Sequence, residues 1–124
     1  MTKKCIFCDL PQERIQCKSN LWLVPRDGFP VSPGHTLIIP KRHVKDFFVI
    51  DGNAYIDLKS VINVTKEQLD KEFNPDGYNI GINCGEAAGQ TVFHLHVHLI
   101  PRYAGDMDDP KGGVRGVIPE KQKY

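Results

Sequence analysis

Residues 93–100 read FHLHVHLI, and this alternation of histidine with aliphatic residues constrains the fold more than any other feature of the chain. Successive side chains of a β-strand point to opposite faces, so the pattern predicts a strand with one apolar and one histidine face. Same-face neighbours are about 6.6–6.8 Å apart along a strand, whereas Zn–N bonds are only about 2.0–2.1 Å. One metal ion therefore cannot bind all three imidazoles, and we expect the three rings to have different functions.

The remaining hydrophobic pattern predicts an α+β domain. Short apolar or alternating runs next to proline or glycine predict strands at 19–25, 35–40 and 77–83. From Asp51 to Phe73 the apolar residues recur at helical spacing, and a proline soon afterwards ends the pattern. Together with the histidine run, these elements predict an antiparallel sheet of about five strands packed against one long helix.

Length and composition narrow the class of protein. The 124 residues have the size of one domain, so we interpret 1–124 as a single unit in which 103–124 forms an irregular arm. A hydrophobic fraction of 40% and a net charge of +1 are typical of a globular protein and argue against binding to a nucleic acid polymer. The sequence contains neither an apolar run of the ~20 residues that span a bilayer nor a secretory hydrophobic region. We expect a cytoplasmic protein that does not associate with membranes.

The N-terminal segment 1–18 contains a C-x-x-C pair, Cys5 and Cys8. In a cytoplasmic protein this spacing indicates metal binding or redox chemistry rather than a structural disulfide. A thioredoxin-like redox site would need a βαβ unit around the pair, and none is predicted there. Metal binding is the favoured interpretation.

Two longer stretches resemble the histidine triad (HIT) family of nucleotidyl hydrolases and transferases: GHTLIIPKRHV and, some fifty residues later, AAGQTVFHLHVHLIPR. The most specific element is the run His-φ-His-φ-His-φ-φ, where φ is apolar. VSPGH, EAAGQTV and HLIPRYAGD are most similar to bacterial members and to the fragile-histidine-triad branch, which splits dinucleoside polyphosphates. The resemblance implies cleavage at the α-phosphate of a dinucleoside polyphosphate or nucleoside phosphoramidate, a homodimer, and no catalytic cofactor.

The resemblance also implies a role for three histidines. His96 matches the nucleophile, which forms a covalent nucleotidyl-imidazole that water later hydrolyses. A neutral imidazole is a competent nucleophile at neutral pH because its unperturbed pKa is about 6.5. His98 would hydrogen-bond the phosphoryl or leaving-group oxygens, and His35 would orient its neighbours.

Other positions match substrate-binding residues of the family. Asn83 and Gln90, in the loop before the histidine run, would donate to phosphate oxygens. Asp27 would accept from the ribose hydroxyls, although Asp-Gly is also a common turn sequence. Phe7 and Leu10 would line an apolar base pocket, with ordinary core packing as the alternative.

By the same resemblance, the metal is a structural zinc ion held by the N-terminal segment. Its ligands would be Cys5, Cys8, His43 and His94, a closed Cys₂His₂ set with no position open for catalysis. The alternative is two free thiols and an exposed His43.

Two other functions stay open from the sequence. One is a zinc metallohydrolase in which His94 and His96 bind a catalytic ion. The complete set of four zinc ligands proposed above, Cys5, Cys8, His43 and His94, argues against this alternative because it already uses His94. The lack of a carboxylate beside the histidine run, which could act as the base, also argues against it. The other is a nucleotide-binding module without catalytic activity. The polyphosphate length and the base of the substrate do not follow from the sequence.

Overall fold

A computed structural model describes residues 5–124 and contains one sheet of five antiparallel strands. The strands are β1 (Ile15–Lys18), β2 (Trp22–Pro25), β3 (Thr36–Pro40), β4 (Gly77–Ile82) and β5 (Val97–Arg102). Their spatial order is β1-β2-β3-β5-β4. One long helix, α1 (Gly52–Phe73), connects β3 to β4. The predicted class, an antiparallel sheet of about five strands with one long helix, is confirmed.

Each end of helix α1 is defined by local contacts of the chain. The Asp51 carboxylate accepts a hydrogen bond from the Ala54 N–H at 2.9 Å and so caps the first turn. At the other end Asn74 adopts a left-handed conformation with φ of 50° directly before Pro75, which cannot continue a helix. The helix packs against β2 and β3 through one buried face that consists of Leu58, Val61, Thr65 and Leu69.

The sheet has a separate apolar cluster on each face. Ile38 packs with helix residues, whereas Leu37 and Ile39 pack with Phe7 from the N-terminal segment. The split follows from β3 itself, because its successive side chains point to opposite faces. Leu37 is the cross-strand partner of His98. The face opposite the helix therefore carries His98.

The histidine run differs from the prediction in its first half. Strand β5 begins only at Val97, so the prediction of one continuous strand over 93–100 is wrong. The reason is a loop contact, because the Leu95 N–H donates to the Val44 carbonyl oxygen at 2.8 Å instead of pairing with a neighbouring strand. The aliphatic positions still point into the core, and each is 1% exposed: Leu95, Val97 and Leu99.

Strand β1 lies inside the N-terminal segment 1–18, for which the sequence predicted no strand. Residues 1–4 of that segment lie outside the described residues. The arm over 103–124 consists of turns and two short 3₁₀ helices, Gly113–Val117 and Pro119–Lys121. Within residues 5–124, no helix combines the length and the apolar character needed to cross a bilayer.

Candidate active site

A backbone hydrogen bond determines which ring nitrogen of His96 carries the proton. Its Nδ1 lies 2.9 Å from the carbonyl oxygen of His94. A carbonyl oxygen only accepts, so Nδ1 carries the proton and Nε2 presents a lone pair. The ring of Phe7 packs edge-on against the His96 ring, with centroids 4.9 Å apart. The bond and the packing together orient the ring and leave Nε2 as its one free acceptor.

His35 and His98 are joined by a hydrogen bond whose direction follows from its surroundings. The Val31 N–H donates to His35 Nδ1 at 3.1 Å, so a neutral His35 carries its proton on Nε2. This Nε2 lies 2.9 Å from His98 Nδ1 and donates to it. His98 must then carry its own proton on Nε2. Its ring is 5.3 Å from that of His96, so this N–H could donate to an anion bound beside His96.

Burial favours the neutral form of this pair. Burial lowers the pKa of His35, while the carboxylate of Asp27 acts in the opposite direction. Burial also lowers the pKa of His98, and the neighbouring His96 and His35 lower it further against the raising effect of Asp27. The geometry agrees, because a second proton on His35 would face the Val31 N–H.

Asp27 lies at the edge of the histidine pair. Its Oδ2 is 3.3 Å from His35 Nε2 and 3.8 Å from His98 Nδ1, and the side chain is 15% exposed. Its Oδ1 accepts from the Phe29 N–H at 2.8 Å, which is the local turn bond that Asp-Gly sequences often form. Asp27 thus both stabilises a turn and faces the imidazoles, and its ribose-binding role stays a prediction.

Gln90 is oriented differently from the prediction. Its side chain is 2% exposed, and its Oε1 accepts from the Gly85 N–H at 2.8 Å. Its Nε2 donates to the carbonyl oxygens of Lys45, at 2.8 Å, and Val92, at 3.2 Å. Both N–H donors of the amide are therefore used within the protein. In this arrangement Gln90 braces the loop over 83–91 and does not point a donor toward phosphate.

Asn83 and His98 line a common cleft. The cleft has a volume of about 670 Å³ and lies over β4 and β5, where the C-terminal arm forms part of its wall. The half-buried Asn83 therefore lies where a neutral donor could reach a phosphate beside His98. Its predicted phosphate contact stays a prediction.

Phe7 and Leu10 pack on the same face of the sheet. Phe7 is 7% exposed and buried against Leu37 and Ile39, and Leu10 packs against this cluster. Phe7 also packs against the His96 ring. Core packing, the alternative interpretation, accounts for Phe7, and the base-pocket role of both residues stays a prediction.

Four side chains from distant parts of the chain converge beside this site: Cys5, Cys8, His43 and His94. One donor atom from each lies within 4.8 Å of all the others. Cys8 Sγ is 3.2 Å from His43 Nδ1, both sulfurs are 3.5 Å from His94 Nδ1, and the two Nδ1 atoms are 3.0 Å apart. A tetrahedral zinc ion with Zn–S of about 2.3 Å and Zn–N of about 2.0–2.1 Å separates its ligand atoms by roughly 3.3–3.8 Å. The donor set thus fits one tetrahedral ion.

His94 is oriented toward this cluster. Its Nε2 lies 2.8 Å from the Pro40 carbonyl oxygen and must donate to it, so the Nδ1 lone pair points to the thiols. The side chain is 0% exposed; burial lowers its pKa, and the bond to Pro40 opposes that shift. A ring N–H held by a backbone carbonyl is the usual second contact of a metal-binding histidine.

A catalytic ion shared by His94 and His96 finds no support in this geometry. Two groups of metal-ligating side chains converge within residues 5–124, and the second is Asp27, His35 and His98. His96 belongs to neither group, and its Nδ1 is bound to a carbonyl oxygen.

Comparison with known proteins agrees with the fold and the motifs. The family model of the HIT domain matches residues 11–105. The chain belongs to the HIT family. A crystal structure of a HIT family protein from Bacillus anthracis is 40% identical, with a TM-score of 0.75, and the match covers 86% of this chain and 78% of that chain. The family predicted from the sequence is confirmed.

Two further HIT matches are informative about chemistry. A Zn-bound histidine triad family protein from Mycobacterium smegmatis is 37% identical, with a TM-score of 0.73, over 82% of this chain and 77% of that chain. The asymmetrical bis(5'-nucleosyl)-tetraphosphatase of Schizosaccharomyces pombe is 39% identical over 80 residues. These are 64% of this chain and 44% of the yeast protein.

Sequence reasoning missed the backbone groups that determine which histidine nitrogens carry protons. They are the Val31 N–H and the carbonyl oxygens of Pro40 and His94. Every residue other than proline has both groups, so no residue type marks the positions where they meet a histidine.

Proposed function

We propose that this HIT protein is a nucleotidyl hydrolase or transferase that works through a covalent nucleotide on His96. The observation that carries the proposal is the 2.9 Å bond from His96 Nδ1 to the His94 carbonyl oxygen. In the neutral ring it leaves the Nε2 lone pair available and prevents Nδ1 from competing as the nucleophile.

The reaction has two displacements. Nε2 of His96 attacks the α-phosphorus, the P–N bond forms, and the leaving group departs with the electron pair of the broken bond. A leaving phosphate departs as an anion, whereas a leaving nitrogen also takes up a proton from solvent and departs as the neutral amine or ammonia. As positive charge develops on the ring, the His94 carbonyl oxygen accepts a stronger bond from Nδ1–H. Water then bonds to phosphorus, the P–N pair returns to Nε2, and the water proton leaves to solvent.

His98 stabilises the charge on phosphorus. Its Nε2–H donates to a phosphoryl or leaving-group oxygen, and His35 holds the ring in the required tautomer through Nδ1. Phosphoryl transfer depends mainly on positioning and on charge stabilisation, so an enzyme of this type needs no catalytic metal.

The substrate is a nucleotide. The tetraphosphatase activity in the name of the S. pombe relative supports a dinucleoside polyphosphate, and a nucleoside phosphoramidate is the second candidate. We assign the ribose hydroxyls to Asp27, the phosphates to Asn83, and the base to the apolar surface beside Phe7 and Leu10. The position of Asp27 and Asn83 near His98 supports the first two assignments.

We also propose a structural zinc ion at Cys5, Cys8, His43 and His94. The tetrahedral fit of the donor atoms and the Zn-bound M. smegmatis protein support it. The ion would tie the N-terminal segment to the segment that carries His96. A reducing compartment such as the cytoplasm suits two thiolate ligands.

A homodimer is the proposed assembly. Strand β4 is an edge of the sheet, and three large apolar side chains on it and on α1 are more than half exposed: Tyr55, Ile56 and Ile80. Exposed strand edges and apolar side chains are the features through which protein copies associate. Light scattering coupled to size-exclusion chromatography measures the assembly directly.

The test of the proposed reaction is a substrate panel. It comprises diadenosine tri- and tetraphosphate, adenosine phosphoramidate and lysine-linked adenylate, with wild type, His96→Ala and the surface control Lys59→Ala. Electrophoresis without acid should trap labelled nucleotide on wild type and Lys59→Ala but not on His96→Ala. Near-normal turnover by His96→Ala would refute the nucleophile assignment. Nucleotide binding by wild type without turnover or adduct would indicate a binding module.

A further inference from the structure

A cavity of about 370 Å³ lies away from the candidate active site, on the helix side of the sheet. Its lining includes Trp22 and Ala54, which belong to the apolar cluster between the sheet and α1. None of the five histidines lines it. The volume is within the range of about 300–1,000 Å³ that ligand pockets have, so the cavity has room for a ligand of its own.

The walls of this cavity are mostly apolar. Leu21 and Val49 line it and are 42% and 59% exposed, whereas Trp22 lies fully buried behind them. The indole N–H of Trp22 is already used, because it donates to the Ala54 carbonyl oxygen at 3.1 Å. An apolar group in the cavity therefore covers exposed apolar surface and leaves no indole donor unpaired.

Two exposed cations, Lys41 and Arg42, line the same cavity. Within residues 5–124 neither of them forms an ion pair. The one carboxylate among the described lining residues is Asp51, which accepts from the Ala54 N–H at 2.9 Å. Its negative charge lies at the positive end of the helix dipole of α1. The cavity therefore keeps two cations for which the described part of the chain supplies no counter-ion.

One segment of the chain connects this cavity to the candidate active site. Pro40 and Val44 both line the cavity. The Pro40 carbonyl oxygen accepts from His94 Nε2 at 2.8 Å, and the Val44 carbonyl oxygen accepts from the Leu95 N–H at 2.8 Å. A ligand that packs against this segment should hold both carbonyl oxygens in place, and the bond to Leu95 should then open less often.

We infer that this cavity is a second ligand site that binds an amphipathic anion, an apolar body with one carboxylate or phosphate group. The apolar walls cover the body, and Lys41 and Arg42 pair with the anionic group, to which a guanidinium can donate two parallel hydrogen bonds. The ligand acts as an effector of the histidine site, because it contacts the segment whose carbonyl oxygens hold His94 and Leu95. Such binding is independent of the proposed reaction.

The test uses three probes of similar length: octanoate, octyl phosphate and uncharged 1-octanol. In ¹H–¹⁵N spectra of wild type, a charged probe should cause saturable shift changes at Leu21, Val49 and Leu95. The octanol should bind about 10-fold more weakly, since a charge-assisted hydrogen bond contributes that much. Hydrogen exchange of the Leu95 amide should slow when the charged probe is bound. The charged probe that binds more tightly identifies the head group.

Variants separate the contribution of the cations from that of the walls. Lys41→Gln/Arg42→Gln should weaken binding of the charged probes about 10-fold and leave octanol binding unchanged. Leu21→Ser should weaken the binding of all three probes to a similar extent. The matched controls are Lys59→Gln and Val64→Ser, an exposed cation and a 48% exposed valine on α1 outside the cavity, for which binding should not change.

Several outcomes would overturn the inference. The absence of saturable shifts with both charged probes is one, and equal affinity for octanol and octanoate is another, because it would indicate an apolar cavity without an anion site. Loss of probe binding in His96→Ala would place the probe in the candidate active site instead. Binding without a change in Leu95 exchange would refute the effector role. If neither charged probe binds and light scattering shows that Leu21→Ser dissociates an oligomer, the cavity is an interface between copies of the chain.

Discussion

Nε2 of His35 donates to Nδ1 of His98 across 2.9 Å, and the Val31 N–H behind His35 determines that direction. Each ring has only one nitrogen that can accept, so a single backbone amide determines the proton position on both. The result is a pair that presents one N–H toward the substrate side. Its consequences can be measured in the protein without substrate.

The tautomers of the three site histidines are a direct prediction. At pH 7.5, long-range ¹H–¹⁵N correlation spectra should show His96 protonated on Nδ1 and both His35 and His98 protonated on Nε2. Because burial lowers the pKa of His35 and His98, both rings should titrate below the ordinary value of about 6.5. A titration midpoint above the ordinary value for either ring would contradict this.

The same pKa shifts make folding depend on pH. When the folded pKa of a histidine lies below its unfolded value, the unfolded chain binds more protons between the two. The neutral, buried histidine therefore contributes fully to the free energy of unfolding above about pH 6.5. This contribution is lost as the pH falls toward the pKa of the histidine in the folded protein. His98→Gln removes one such group. The free energy of unfolding, measured with urea at several pH values between 6.5 and 5, should therefore depend less steeply on pH than in wild type. Equal slopes would show that His98 does not contribute.

Cys8→Ser tests the zinc proposal. The metal would connect the N-terminal segment to the buried His94, and its binding energy adds to folding. We expect less than one zinc per chain and a melting temperature at least about 5 °C lower. Cys84→Ser is the matched control, because this cysteine lies outside the cluster. A Cys8→Ser protein with full zinc content and unchanged melting would refute the site.

Phe7→Ala separates the two interpretations of this residue. If Phe7 is a buried residue that supports the His96 ring, Phe7→Ala should lower the free energy of unfolding by about 3 kcal/mol and should also lower kcat. Phe7→Leu keeps an apolar side chain at this position, so it should lower the stability and kcat less than Phe7→Ala does. If Phe7 is instead a wall of the base pocket, the alanine variant should raise KM with little change in urea stability or kcat.

Gln90→Ala tests the role of the buried amide. The substitution removes the partners of Gly85 N–H and of two carbonyl oxygens, and the expected loss is about 2–4 kcal/mol. Hydrogen exchange over residues 83–91 should accelerate. Glu86→Ala, an exposed position in the same loop, is the control. A loss of activity without loss of stability would instead favour a direct phosphate contact by Gln90.

The spacing of apolar residues predicted helix α1 and most strands. It could do so because the spacing shows which positions of a segment are buried, and this depends only on the residue types in that segment. Helix α1 follows from the spacing of apolar residues and from the proline that ends the pattern, whereas its cap at Asp51 was found only in the structure. The start of β5 did not follow, because the Leu95 N–H pairs with Val44, fifty residues away in the sequence. The inward position of Gln90 depends in the same way on carbonyl groups outside its own loop.

The sequence by itself determined the fold class, the family, and which side chains are available for chemistry. Those properties depend on residue type and spacing. Only the tertiary structure decided which nitrogen of each histidine carries a proton, and that the C-terminal arm lines the cleft beside His98. Backbone groups and distant segments make those contacts, and their positions exist only after the chain has folded.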